Sequence, residues 1–218
     1  MGHVMGHAGM AATAVRYLRA AGAPTAAEAP PRHRRPALRA VRDGERAPVV
    51  DGAEIRRVLG HFASGVTIVT ARDEDGPTGF ACQSFASLSL DPPLVVFMVA
   101  RTSTTWPRIA RAGRFCVNVL GAEQGGLCRA FAVSGADKFA GVTWEPAPAT
   151  GSPRLPEAPA WVDCAINAVH TGGDHLIVVG RIAALGTAED DAGAGAGSET
   201  PAEPLLFHRG RFGRFSPR

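Results

Sequence analysis

The residue types best suited to chemistry gather between Thr78 and Ser89, where small side chains, hydroxyls and one amide follow one another: Thr78, Gly79, Ala81, Cys82, Gln83, Ser84, Ser87 and Ser89. A backbone with such small side chains can lie close to a flat polar ligand and turn N–H and O–H groups toward it. A Ser-rich edge strand with its loop has the same composition, so both readings stand at this point. Arg101-Thr102-Ser103-Thr104-Thr105-Trp106-Pro107 is the second group. Hydroxyls ahead of a helix with proline in its first turn form an ordinary cap. With Arg101 alongside they also suit a phosphate. His175 follows Gly173-Asp174 at the mouth of a hairpin, where it either caps a strand end or meets a ligand. His61 reads as packing, His208 is ambiguous, and His170 has no partner group nearby in sequence.

Several chemistries have no motif here. The chain lacks G-x-G-x-x-G, a Walker loop, H-E-x-x-H and G-x-S-x-G. Its four cysteines stand at 82, 116, 128 and 164 without any C-x-x-C, which gives neither a zinc nor a dithiol motif. Cys116 and Cys164 sit in apolar strand-like runs and read as buried thiols. A polar small-molecule cleft without nucleophile or metal suits a borrowed cofactor, which reacts while the protein binds and orients.

The elements that must position these groups follow from the pattern. The 218 residues are 45% hydrophobic and 20% charged, enough for one full core. Residues 1–50 carry eight arginines against Glu28, Asp43 and Glu45, a net of +5 in a chain whose total is +3. The remainder therefore nets −2, and the high pI gives no nucleic-acid face to the folded part. Lys138 is the only lysine among 23 basic residues, which resembles GC-rich coding bias. The Arg/Ala/Pro-rich stretch 1–50 lacks periodicity and reads as a disordered extension, with a short helical turn at Val15–Ala21. No run reaches the ~18 apolar residues of a membrane span, no secretory signal is visible, and the setting reads as reducing and cytoplasmic.

The domain is placed at 51–218. Asp51 and Glu54 make a capping-box-like start, and Ile55, Val58, Leu59 and Phe62 share one helical face ended by Gly65. Val66–Ala71 is a β-branched strand, and the 78–97 stretch returns from the turn at Asp73–Pro77. A helix follows Pro107, Phe115–Leu120 is a strand, Gln124–Val133 a helix, and Lys138–Val142 a turn or short strand. Residues 146–160 read as a Pro-rich surface connection. Trp161–His170 alternates, with Val162, Cys164, Ile166 and Ala168 on one face and Asp163 and Asn167 on the other. With His175–Leu185 it forms a hairpin. Residues 188–203 are a low-complexity loop, and Leu205–Phe212 is the last strand. Many short strands with few helices favour a mainly β, antiparallel barrel.

Taken in order, these pieces resemble the short-chain flavin reductases that serve two-component flavin-dependent monooxygenases. Phe62–Thr70 resembles the family's opening helix and first strand, and Gly79–Pro93 its flavin segment. Ser103-Thr104, Phe115–Leu120, Lys138-Phe139, Gly173-Asp174-His175, Pro204–Phe207 and Arg209-Gly210 follow in the family's order, so the likeness covers roughly 53–213. Ala81–Ala86 and Gly172–His175 look especially like the branch that serves actinobacterial seco-steroid hydroxylation. The resemblance implies an FMN-binding split barrel, usually a homodimer with flavin sites near the subunit interface. By carry-over, Ala81, Cys82, Gln83 and Ser84 line the isoalloxazine, and Ser87 and Leu88 continue that wall. Arg101, Ser103 and Thr104 meet the phosphate region, His175 lies against the nicotinamide, and Arg209 and Phe212 stand near the cofactor mouth. Ala81 and Phe212 depart from the Thr and Tyr that the family often has there. The implied reaction passes hydride from NADH or NADPH to FMN or FAD, and the reduced flavin diffuses to a separate oxygenase. The alternatives are a non-enzymatic flavin- or haem-binding carrier or sensor, and an oxidase of the pyridoxine phosphate type, for which Arg101 alone is thin support.

Overall fold

The computed structural model describes residues 50–188, Asp190 and residues 203–216. Nearly all of the expected extension 1–50, with its helical turn at 15–21, and most of the 188–203 loop lie outside the described residues. Helix α1 spans Gly52–Leu59, and the Asp51 carboxylate accepts from the Ala53 N–H at 3.3 Å as a cap. Glu54 does not complete a capping box; it pairs with Arg57 at 2.6 Å. The helix stops at Gly60 rather than Gly65. Among the described residues its apolar face stays open: Ile55, Val58 and Leu59 are exposed, and Phe62 is 82% exposed.

Strand β1 (Ser64–Gly65) is short, followed by β2 (Thr67–Asp73), β3 (Gly76–Cys82), β4 (Ala86–Leu90) and β5 (Pro93–Ala100). Helix α2 (Trp106–Ala112) leads to β6 (Arg114–Val119), and α3 (Gly125–Ala132) follows one 3-10 turn. Two minor strands, β7 (Glu145–Pro146) and β8 (Pro153–Arg154), precede the long hairpin β9 (Ala160–Gly172) and β10 (His175–Thr187). Strands β11 (Leu205–His208) and β12 (Arg211–Arg214) complete the described chain.

The main sheet has seven antiparallel strands in the order β3-β2-β6-β9-β10-β5-β4. Its outermost strands, β3 and β4, are joined by Gln83–Phe85 alone. Four extended Cα steps reach about 14 Å, whereas seven strands laid flat at ~4.8 Å spacing are about 29 Å wide. The sheet must therefore curl until its edges meet, and the expected mainly β, antiparallel barrel results.

Phe97 of β5 is fully buried at the centre of the enclosed core. Phe115 stands edge-on to it at 5.2 Å and Trp106 at 6.3 Å, with Phe80 tilted at 6.0 Å. Beside them, β10 carries Gly180, where a Cβ would lie 2.4 Å from the Phe115 ring. A second cluster, including Ile68, Leu120, Phe131 and Leu205, packs α3 and the small sheet β1-β11-β12 against the barrel.

Three local expectations change. The last strand is a hairpin, because Arg209 and Gly210 both take positive φ (50° and 79°) and turn the chain back through two residues. The Pro-rich segment is not merely surface: Ala147, Ser152, Leu155 and Ala158 are buried. Asp163, expected to face outward, is fully buried and holds that segment. Its carboxylate accepts from the Ala149 and Thr150 N–H groups at 2.9 Å each and from the Thr150 hydroxyl at 2.5 Å. The loop folds inward because it satisfies a charge that alternation would have sent to water.

Gly180→Ala is expected to cost about 1–3 kcal/mol, the range for overpacking a filled core. Urea unfolding measures it; an unchanged midpoint would mean that Phe115 moves aside freely.

Candidate functional site

The three residues that close the barrel also open a cleft. Ala86 pairs with Val96, so the next rung of the β4–β5 ladder places Ser84 opposite Met98. That rung is made by a side chain. The Ser84 hydroxyl donates to the Met98 carbonyl and accepts from the Met98 N–H, both at 2.9 Å. The Cys82 thiol lies 3.3 Å from the same hydroxyl. Gln83, Ser84 and Phe85 thus belong to neither strand, and their backbone is not taken up by the sheet.

Beside this segment lies a cleft of about 440 Å³. One wall is the end of β3, from Phe80 to Ser84, and another is Met98 to Ala100 of β5. Thr102 to Thr105 bring hydroxyls, Phe131 of α3 adds an aromatic face, and Lys138 and His175 supply the ionisable groups. Apolar faces flanked by hydroxyls, free backbone and one ammonium suit a flat heteroaromatic ring with a polar edge and an anionic tail.

His175 begins β10 and pairs with Gly172 of β9 and Ala100 of β5. Its Nδ1 lies 2.7 Å from the Asp174 carboxylate, and this bond holds the Asp174 carboxyl below its ordinary range. The partnership assigns Nδ1 as the donor in the neutral ring and leaves Nε2 for a ligand. Lys138 donates to the Gly79 carbonyl at 3.1 Å and the Thr105 hydroxyl at 3.5 Å, and burial lowers its pKa. Burial likewise raises the Cys82 thiol, which therefore stands neutral at the cleft wall and is no nucleophile. Among the described residues, no group of three His, Cys, Asp or Glu could hold a metal ion.

Of the residues singled out by sequence, the cleft gathers Ala81, Cys82, Gln83, Ser84, Ser103, Thr104 and His175. It does not gather Ser87, Leu88, Arg101, Arg209 or Phe212. Ser87 pairs within β4–β5, and Leu88 sits at a register shift and is exposed. The Arg101 N–H is bound to the Asp174 carbonyl at 2.9 Å. Arg209 and Phe212 line a separate hollow on the terminal hairpin, and Arg209 also lines a larger one, of about 780 Å³, that Gln83 borders. Lys138 is what sequence reasoning missed as a site residue. The available signal was its solitude, a lysine where the chain otherwise uses arginine.

A family model described as "Flavin reductase like domain" matches residues 59–216. The reductase subunit HsaB of a flavin-dependent monooxygenase from Rhodococcus jostii is 44% identical over 171 residues, 78% of this chain and 82% of that protein. The crystal structure of a nitrilotriacetate monooxygenase component B homologue from Mycobacterium thermoresistibile superposes with a TM-score of 0.68 at 44% identity, covering 76% of this chain and 87% of that one. The NADH:FAD oxidoreductase SgcE6 of Streptomyces globisporus, in complex with NAD and FAD fragments, gives 0.68 at 35% identity over 78% and 98%.

Two outcomes follow from the closing segment. Ser84→Ala leaves the Met98 N–H unmet and its carbonyl with only the weak Cys82 thiol donor at 3.9 Å, and is expected to lower stability by about 1 kcal/mol in urea unfolding. The four thiols are all buried, with Cys164 pushed up to about 12 by that burial. At pH 8 they are protonated, so a thiol reagent should label none of them before unfolding; rapid labelling of Cys82 would contradict the closure.

Proposed function

The chain belongs to the flavin reductase-like family, and from that premise we propose that it passes hydride from NADH or NADPH to FMN or FAD and releases the reduced flavin to a separate monooxygenase. The cleft beside Gln83–Phe85 carries this reading, because its apolar faces, polar rim and single ammonium match the ring, the ring edge and the phosphate of a flavin. Bound flavin supplies a two-electron acceptor for the hydride of the nicotinamide.

The chain's own part is geometric. Backbone groups of Ala81–Ser84 meet the polar edge of the ring, while the Ser84 hydroxyl stays committed to Met98. Thr102–Thr105 and Lys138 meet the phosphate. Asp174 fixes the His175 tautomer, and Nε2 orients the nicotinamide. Holding both rings in one cleft would set them face to face at the distance hydride transfer needs.

We further read the active form as a homodimer. The uncovered face of Ile55, Val58, Leu59 and Phe62 supports that reading, and flavin sites near the interface would bring Ser87, Leu88, Arg209 and Phe212 toward the ligand. Arg101 joins the site only if its side chain turns toward the phosphate. The net −2 of residues 51–218 gives no support to a nucleic-acid partner. Among the described residues, no helix is long and apolar enough to cross a membrane. Four unpaired cysteines suit a cytoplasmic setting.

The test is NADH oxidation by the full chain with FMN, FAD or no flavin added. Added flavin should give turnover, and His175→Ala should lower kcat/KM for NADH by about tenfold or more while flavin affinity is kept. Flavin binding without NADH consumption would instead make the protein a carrier.

A further inference from the structure

The ring cleft does not end at Lys138. A second chamber, of about 530 Å³, adjoins it, and the two share Thr104, Thr105 and Lys138 as a common wall. Resting on the reductase reading, we propose that this chamber takes the adenosine half of FAD, so that the flavin used is the dinucleotide and not FMN.

The charges along the two chambers are ordered. Lys138 forms no ion pair among the described residues, and its two hydrogen bonds go to neutral oxygens. An ammonium has three N–H groups, so one remains for a ligand, on a half-buried cation that lacks a counter-ion. The other cation bordering the second chamber is already committed: Arg108 grips Asp73 through Nη2 at 2.5 Å and Nε at 3.0 Å, and donates to the Gly76 carbonyl at 3.0 Å. The anion therefore belongs at the common wall.

Beyond that wall the polarity reverses. Asp75 and Asp137 border the chamber, and one Asp137 oxygen accepts from the Phe139 N–H at 3.1 Å. Carboxylates accept from ribose hydroxyls and from an exocyclic amine, and they repel a further phosphate. A ligand that is an aromatic ring at one end, anionic in the middle and hydroxyl- and amine-bearing at the far end fits this sequence. FAD has that order of groups. FMN stops at the common wall and leaves the second chamber to water, and riboflavin lacks the anion altogether.

The experiment measures dissociation constants for riboflavin, FMN and FAD on the full chain by quenching of flavin fluorescence, which requires no turnover. FAD should bind about tenfold tighter than FMN, the yield of one or two added hydrogen bonds. Lys138→Met should weaken FMN and FAD by about tenfold, the worth of a charge-assisted bond, and leave riboflavin nearly unchanged. Ala136 is exposed on the rim of the second chamber. Ala136→Trp sets an indole across that rim and should reduce the preference for FAD over FMN, with circular dichroism confirming the fold. Equal affinity for FMN and FAD in the parent chain would overturn the proposal, as would riboflavin weakening along with the others in Lys138→Met. So would a KM for NADH that rises in Ala136→Trp while the FAD constant stays, since the chamber would then serve the nicotinamide dinucleotide. Tight FAD binding without any NADH oxidation would sink the reductase reading and leave the chamber assignment standing.

Discussion

The structure depends on a length constraint: the two outermost strands of a seven-stranded sheet are tied together by Gln83, Ser84 and Phe85. So short a tether cannot cross a flat sheet of that width, and closure follows from connectivity before any side chain is considered. The Ser84–Met98 bridge completes the closure but does not drive it, since one hydroxyl contributes about 1 kcal/mol. The driving force lies in what closure encloses. Phe97, Phe115, Ile109 and Val178 are removed from water, and each such side chain is worth about 1.5–3 kcal/mol. The same tether leaves three residues of backbone outside the ladder, at the place where the ligand cleft lies. The fold and the site share one cause.

Around the cleft, polar groups divide into those spent on architecture and those left for a ligand. The Ser84 hydroxyl, the Arg108 guanidinium and the Arg101 N–H are spent. Lys138 retains a donor, and His175 retains Nε2 because Asp174 occupies Nδ1. Asp163 shows the first kind at its fullest, a buried carboxylate whose three bonds all go to one loop. A residue's presence at the rim is therefore a weaker sign of function than the number of its hydrogen bonds left unmade.

Much of this was legible locally. The β-branched run after Val66, the alternation from Trp161 and the turn at Gly172–Asp174 announced the strands they form, because strand period and turn chemistry act over neighbouring residues. The Ala81–Ser84 segment could be read for the same reason: its small residues are contiguous. Lys138 could not be read that way, because its meaning comes from Gly79 and Thr105, brought to it by the tertiary fold. Asp163 was hidden likewise, since alternation marks the two faces of a strand but not a loop that folds back over one of them. The face of α1 shows a further limit. Periodicity identified Ile55, Val58, Leu59 and Phe62 as one stripe, but not what the stripe covers.

The small sheet has a consequence for the order in which the molecule can be made. Strand β1 pairs Ser64 with Phe207 and Gly65 with Leu206, and the Arg209 N–H reaches the Gly60 carbonyl at 2.9 Å. The earliest folded segments are thus clasped by late ones, more than half the chain away. Synthesis runs from the N-terminus, so α1 and β1 must wait, unpaired, while the barrel strands emerge after them. A nascent chain halted before Leu205 holds all seven strands of the main sheet but lacks its clasp, with Ser64 and Gly65 unpaired and the partners of Leu205 open to whatever shares the exit. The pairing of β11 with β1 thus comes after every strand of the main sheet has been made, and the apolar surface around Leu205 is covered only when that hairpin docks.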